Sequence, residues 1–175
     1  MSDRHYIFKI MVLGDPSVGK TSLIRRFIEN RFAEDYITTI GVDFLKKDVV
    51  VDRTGATLVL WDVAGQAKYA NFKKYYYTGA NFLIIVFDIT KIQTFQNIAR
   101  WLSDAQEILG DPIDYAIFAN KADLANEREV TNYDYFQSAD MLFELIETSA
   151  KTGHNVNEMF TRIARFLIQK QVSIE

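Results

Sequence analysis

Gly14-Asp15-Pro16-Ser17-Val18-Gly19-Lys20-Thr21 is the stretch that decides how the rest of this 175-residue chain is read. It holds glycine, four residues, glycine, lysine and a hydroxyl residue in unbroken order, between an apolar run, Tyr6 to Leu13, and an amphipathic one, Thr21 to Glu29. The first run is rich in aromatic and β-branched residues and reads as a buried strand. The second places Leu23, Ile24, Phe27 and Ile28 at helical spacing. A glycine-bearing turn from strand into helix lets successive backbone N–H groups face phosphate oxygens, and the helix N-terminus adds the positive end of its dipole. In this pattern Lys20 reaches the β- and γ-phosphates of a nucleotide, and the Thr21 hydroxyl is a ligand for magnesium, a hard cation that takes oxygen donors.

Outward from this loop, strand and helix patterns alternate. Val42 to Val51 and Thr57 to Val63 are strand-like, and the short segment Asp52-Arg53-Thr54-Gly55 between them predicts an antiparallel hairpin. Phe82 to Phe87, Tyr115 to Ala119 and Leu145 to Thr148 read as further strands. Thr94 to Leu109, Thr131 to Phe143 with Thr131 as N-cap, and Val156 to about Lys170 read as helices. Trp101 falls on the apolar stripe of the first of these and reads as core. The expected fold is α/β: a mostly parallel six-stranded sheet with one antiparallel hairpin, flanked by about five helices, in one domain spanning residues 1–175. Ligands of such sheets bind at the carboxyl ends of the strands.

Composition narrows the function classes. With 49% hydrophobic and 25% charged residues the chain can fill a core, which excludes wholesale disorder. Twenty basic against 23 acidic residues give a formal net charge of −3, so binding nucleic acid through sequence-independent charge is not expected. The sequence has no cysteine, which excludes a disulfide, a thiolate zinc site, a catalytic thiol and a prenylation site within it, and fits a reducing, cytoplasmic setting. No segment reaches the ~18 apolar residues of a membrane span.

The remaining polar clusters fall after strands. Asp62 closes the third strand ahead of Gly65 and Gln66, where a carboxylate can hold magnesium directly or through water. Asn120-Lys121-Ala122-Asp123 follows the fifth strand and Thr148-Ser149-Ala150-Lys151 the sixth. The Asp123 carboxylate can accept two hydrogen bonds, matching the ring N–H and exocyclic amine on one edge of guanine, a donor pair that adenine lacks.

Together these motifs resemble the Ras-superfamily small GTPases over nearly the whole chain, a P-loop fold with a small G domain. Within that superfamily Ile40-Gly41-Val42-Asp43-Phe44, Trp61-Asp62, Tyr76-Tyr77-Thr78-Gly79-Ala80 and Phe87-Asp88-Ile89-Thr90 are most similar to the Rab branch. The resemblance implies a switch that binds GDP and GTP with Mg2+, slowly hydrolyses GTP, and acts in vesicle or membrane trafficking. It implies that Asp15, Pro16, Ser17, Val18, Gly19, Lys20, Thr21 and Ser22 line the phosphates, and that Thr39 and Gly65 sense the γ-phosphate. Thr21, Thr39 and Asp62 are the implied metal ligands. Asn120, Lys121 and Asp123 recognise guanine, with Ser149, Ala150 and Lys151 closing the base site and Phe32 stacking near the base. Gln66 orients the attacking water, and Lys20 and Thr39 complete the implied catalytic set. The implied partners are an exchange factor, an activating protein and effectors reading the switch loops and an aromatic patch of Phe44, Trp61 and Tyr76, with the protein itself a monomer. The implied location is the cytosolic face of internal membranes, reached through a lipidated tail that this sequence, ending at Glu175, does not contain.

Three positions depart from the pattern. Pro16 stands where a small residue is usual, and proline offers no N–H and fixes φ. Val63 replaces a threonine, and Ala67-Lys68 replaces Glu-Arg after Gln66. Neither Arg31, before Phe32, nor Arg53, in the hairpin turn, is placed to act in cis, so unassisted turnover on the order of 10⁻⁴ to 10⁻² s⁻¹ is expected. Two readings of other classes stand beside the switch: a GTP-binding scaffold impaired in hydrolysis, which Pro16 and Ala67 favour, and a P-loop kinase or ATPase, against which Asp123 counts.

Overall fold

Strand β1 (His5–Leu13) carries apolar side chains on both faces over its second half, a pattern that only a central strand can bury. In the computed structural model, which describes residues 4–33, 39–64, 73–110, 112–136, 143 and 145–174, β1 lies at the centre of the sheet. It pairs in parallel with β3 (Thr54–Val63) on one side and β4 (Phe82–Asp88) on the other. Strands β5 (Tyr115–Asn120) and β6 (Ile146–Glu147) continue the parallel sheet, and β2 (Val42–Val51) closes the far edge, antiparallel to β3. The strand order is β2-β3-β1-β4-β5-β6. The helices are α1 (Lys20–Glu29), α2 (Lys73–Tyr77), α3 (Ile92–Gln96), α4 (Ile98–Leu109) and α5 (Val156–Ile174).

Alternation along β1 sorts the core into two layers. Phe8, Ile10 and Val12 face α1 and α5, meeting Leu23, Phe27, Ile163 and Leu167. Met11 and Leu13 face the opposite side, where Tyr77, Trp101 and Ala105 cover them. Strand β4 is buried along all seven residues and splits the same way. Both layers leave the carboxyl ends of β1, β3, β4, β5 and β6 at one edge, where the predicted polar loops emerge.

Three local expectations are corrected. The hairpin turn is two residues rather than four: Asp52 (φ 50°) and Arg53 (φ 70°) are both left-handed, the geometry that matches strand twist, and Thr54 and Gly55 already belong to β3. The single helix expected over Thr94 to Leu109 begins earlier and is divided at Asn97, whose ψ of −7° interrupts the helix while its side chain reaches out to Asp15. Thr131 does not cap a helix. Asn132 accepts the Asp134 N–H at 2.6 Å, an Asx turn that leads into a 3-10 turn over Asp134–Phe136; the rest of the helix expected there, 137–142, lies outside the described residues.

Candidate functional site

Gly14 leaves β1 at φ 142°, and a Cβ there would stand 2.2 Å from the Val86 carbonyl oxygen, so only glycine lets the loop turn this close to β4. Gly19 (φ 100°) is the N-cap of α1 and supplies no side-chain cap. The N–H groups of the first helical turn therefore have no side-chain partner at the cap and open toward the loop. Ser17 is left-handed (φ 66°) and Pro16 exposed, which gives the loop a concave backbone. Lys20 lies folded beneath it, buried, with Nζ donating to the carbonyls of Gly14 and Asp15 at 2.8 Å each. Burial lowers its pKa to about 8, against the opposing pull of Asp62 and then Asp15. A buried ammonium held by two neutral carbonyls is suited to an anion in the loop.

Three oxygens meet beside it. The Thr21 hydroxyl donates to Asp62 Oδ2, the Thr39 hydroxyl lies 3.0 Å from the same oxygen, and the two hydroxyl oxygens are 2.8 Å apart. Oxygen ligands of Mg2+ at 2.0–2.1 Å and a right angle stand about 2.9 Å apart, close to the two spacings made by the Thr39 hydroxyl, 2.8 and 3.0 Å. Asp62 Oδ1 is buried with no hydrogen-bond partner among the described residues, an orphan whose cost a bound cation or its water would remove. The donor set is all oxygen and fits magnesium. Of the two threonines before Ile40, Thr39 supplies the hydroxyl seen here, and Thr38 lies outside the described residues. Gly41 fixes the approach by accepting the Ala64 N–H at 2.9 Å. Gly65, Gln66, Ala67 and Lys68 lie outside the described residues.

The two base loops are tied to the phosphate loop by Asn120. Its Nδ2 donates to the Val18 carbonyl at 2.9 Å, and its Oδ1 accepts from Ala150 N at 3.2 Å and lies 3.4 Å from the Thr148 hydroxyl. A Cβ on Gly19 would come within 2.3 Å of that Nδ2, so the second glycine of the motif is what lets Asn120 pass beneath. Lys121 adopts φ 68° and sets its ammonium 2.6 Å from Asp88 Oδ2, leaving the aliphatic stem at the edge of the site. Asp123 is exposed, one oxygen accepting the Ser149 hydroxyl at 2.6 Å; Ser149 in turn accepts Thr152 N. Lys151 is exposed. Phe32 is half-buried against the α1 and α5 layer.

A model of the Ras family matches residues 9–169. The chain belongs to that family. It is 40% identical to the Ras-related protein Rab-1 of Theileria parva over 172 residues, 97% of this chain and 78% of that protein. Identity to the human Ras-related protein Rab-4B is 39% over 168 residues, 94% and 78% of the two chains. A 171-residue match at 37% identity covers 96% of this chain but 23% of the human EF-hand calcium-binding domain-containing protein 4B. As a Ras-family protein similar to Rab, the chain is a small GTPase that binds guanine nucleotide and hydrolyses GTP. Proteins of the family work with exchange factors, activating proteins and effectors.

Among the residues expected on the effector side, Phe44 and Trp61 stack with ring centroids 5.6 Å apart, and Phe44 is 56% exposed. Tyr76 packs against the same core layer as Trp61. Lys9 lies between them and the end of α2: its ammonium stands 3.9 Å from the Trp61 ring centroid and donates to the Thr78 carbonyl at 2.9 Å.

The sequence reading missed two supports. Arg26, on α1, sends Nε to the Ala150 carbonyl (2.7 Å), one terminal nitrogen to Lys151 O (2.5 Å) and the other to Asn30 O (3.2 Å), fastening the base loop from below. Trp101 is core, as expected, yet its indole N–H donates to Asp15 in the phosphate loop. Neither link has a sequence signal, since each joins residues more than 80 apart. Among the described residues no helix is long and apolar enough to cross a membrane.

Proposed function

We propose that residues 1–175 form one G domain, working as a Rab-like switch in membrane trafficking, with Mg2+ held by Thr21, Thr39 and Asp62. The observation that carries this reading is the convergence of those three oxygens within hydrogen-bonding distance, from α1, the segment before β2, and β3. A bound Mg2+ would neutralise charge on the phosphates. The chain's own groups do the rest. Loop N–H groups and Lys20 stabilise charge on the transferring phosphoryl group, and Gln66 orients the attacking water. Asp123 selects guanine by accepting from two donors, with the Lys121 and Lys151 stems and Phe32 packing about the ring. Thr39 couples the segment before β2 to the γ-phosphate, so GTP and GDP differ in the surface they present beside Phe44 and Trp61. The monomer presents that surface to effectors; a net charge of −3 does not favour nucleic acid as a partner.

Calorimetry with GDP, GTP and ATP in the presence and absence of Mg2+ tests the reading. Both guanine nucleotides should bind with strong Mg2+ dependence. ATP binding within tenfold of GTP would refute the guanine assignment. Asp123→Asn should move preference toward xanthine nucleotides, because the amide donates where the carboxylate could only accept.

A further inference from the structure

Asp15 puts a carboxylate inside the loop that faces the phosphates, and the carboxylate points the other way. Asn97 Nδ2 donates to its Oδ2 at 2.6 Å and Trp101 Nε1 to its Oδ1 at 2.9 Å, while the Arg100 guanidinium stands 3.4 Å from Oδ1. The Asp15 side chain is 12% exposed, so these donors replace most of its water. All three come from the break between α3 and α4 and the turn that follows it. The helix is interrupted at the residue that reaches the carboxylate, and Arg100, 61% exposed, lies over the Trp101 ring at 5.7 Å. Meanwhile the Asp15 carbonyl faces inward and holds Lys20. One residue thus offers its backbone to the phosphate side and its charge to α4.

A loop that binds a polyanion loses affinity for every negative charge of its own that faces the ligand, since like charges several ångströms apart in a partly buried site repel without full screening. We propose that Asn97 and Trp101, assisted by Arg100, withhold the Asp15 charge from the nucleotide, and that α4 thereby sets the phosphate affinity of a loop it does not belong to. These are positioning residues. They hold Asp15 and touch no phosphate. Taking the loop as the phosphate site, as above, two consequences separate withholding from simple anchoring. If the tie only anchored the loop, removing the carboxylate would be as harmful as removing its donors. If the tie withholds charge, removing the carboxylate should cure the loss of the donors.

The experiment measures release of a fluorescent GDP analogue from full-length protein, with thermal melts to show that each variant folds. Asn97→Ala combined with Trp101→Phe, which keeps the ring packing and loses only the indole donor, should speed release on the order of tenfold to a hundredfold, the size of a like charge left several ångströms from the phosphates in a partly screened site. Adding Asp15→Ala to that variant should bring release back to within about threefold of the parent. The accelerated release should shrink as salt is raised from low to high ionic strength. If the parent holds GDP and the triple variant releases it as fast as the double, the withholding idea is overturned while the phosphate site stands. If the parent does not hold GDP at all, both fall.

Discussion

Raising the pH should stabilise the nucleotide-free protein and weaken its grip on nucleotide, and both effects should pass through Lys20. Burial lowers this ammonium's pKa from 10.5 to about 8 in the free protein. The sign follows from proton counts. Between pH 8 and 10.5 the unfolded chain keeps the proton that the folded chain has released, so unfolding takes up a proton and stability rises with pH across that window. Below pH 8 both states are protonated and the cost of burying the charge is fully present. A displacement of that size corresponds to about 3 kcal/mol. Phosphates in the loop reverse the balance by favouring the ammonium, so binding above pH 8 must first restore the proton. Affinity should therefore fall about tenfold per pH unit beyond 8, and complex formation near pH 9 should take up close to one proton. Calorimetry with GDP in buffers of different ionisation enthalpy reads that uptake directly, and urea melts of the free protein read the stability. Lys20→Met is the control for both, since guanine's own ionisation and the shifts at Lys9, Lys47 and Tyr133 are common to the two proteins. Equal pH profiles for parent and Lys20→Met, in stability and in proton uptake alike, would refute the reasoning.

Thr39→Ala removes one corner of the oxygen triangle and should make EDTA-free release of GTP faster by about tenfold with GDP release changed little, measured by stopped-flow displacement. Arg26→Ala removes two charge-assisted bonds to the base loop, each in the range of about 1.5–3 kcal/mol before allowance for partial exposure, and should weaken GDP and GTP alike by tenfold or more. Arg26→Lys should not restore binding, because one ammonium cannot span both carbonyls in the fork geometry. Pro16→Gly should leave the unassisted hydrolysis rate nearly unchanged yet increase sensitivity to a Rab-type activating protein if the exposed proline ring crowds an inserted arginine; stimulation of the parent by ~10³-fold or more would refute the crowding argument.

What could be read from the sequence was set by distance along the chain. The succession of strands along the chain, the burial of β1 and the hairpin follow from periodicities within ten residues, whereas the order of strands across the sheet does not; the phosphate loop follows from eight consecutive residues whose glycines each serve a contact, Gly14 against Val86 and Gly19 against Asn120. Asp62 is legible as a carboxylate at a strand end and Thr39 only through the resemblance, and their meeting with Thr21 is long-range geometry that no local pattern encodes. Periodicity misplaced the start of the helix expected from Thr131 because Asn132 spends its side chain on its own backbone, and it ran one helix through Asn97 because that residue is neutral in a helical count.

Apolar patterning was also blind to amphipathic side chains. Trp101 satisfies the core stripe with its ring and the phosphate loop with its N–H, and a pattern that scores it once as hydrophobic records half of its role. Asn120 behaves in the same manner. Its motif position suggests contact with the base, while its amide joins the phosphate loop to the Ala150 loop and makes the two halves of the site one body. A change at Asn120 should therefore move phosphate and base affinity together, since its amide ties the Val18 carbonyl of the phosphate loop to the Ala150 loop that Arg26 fastens to α1.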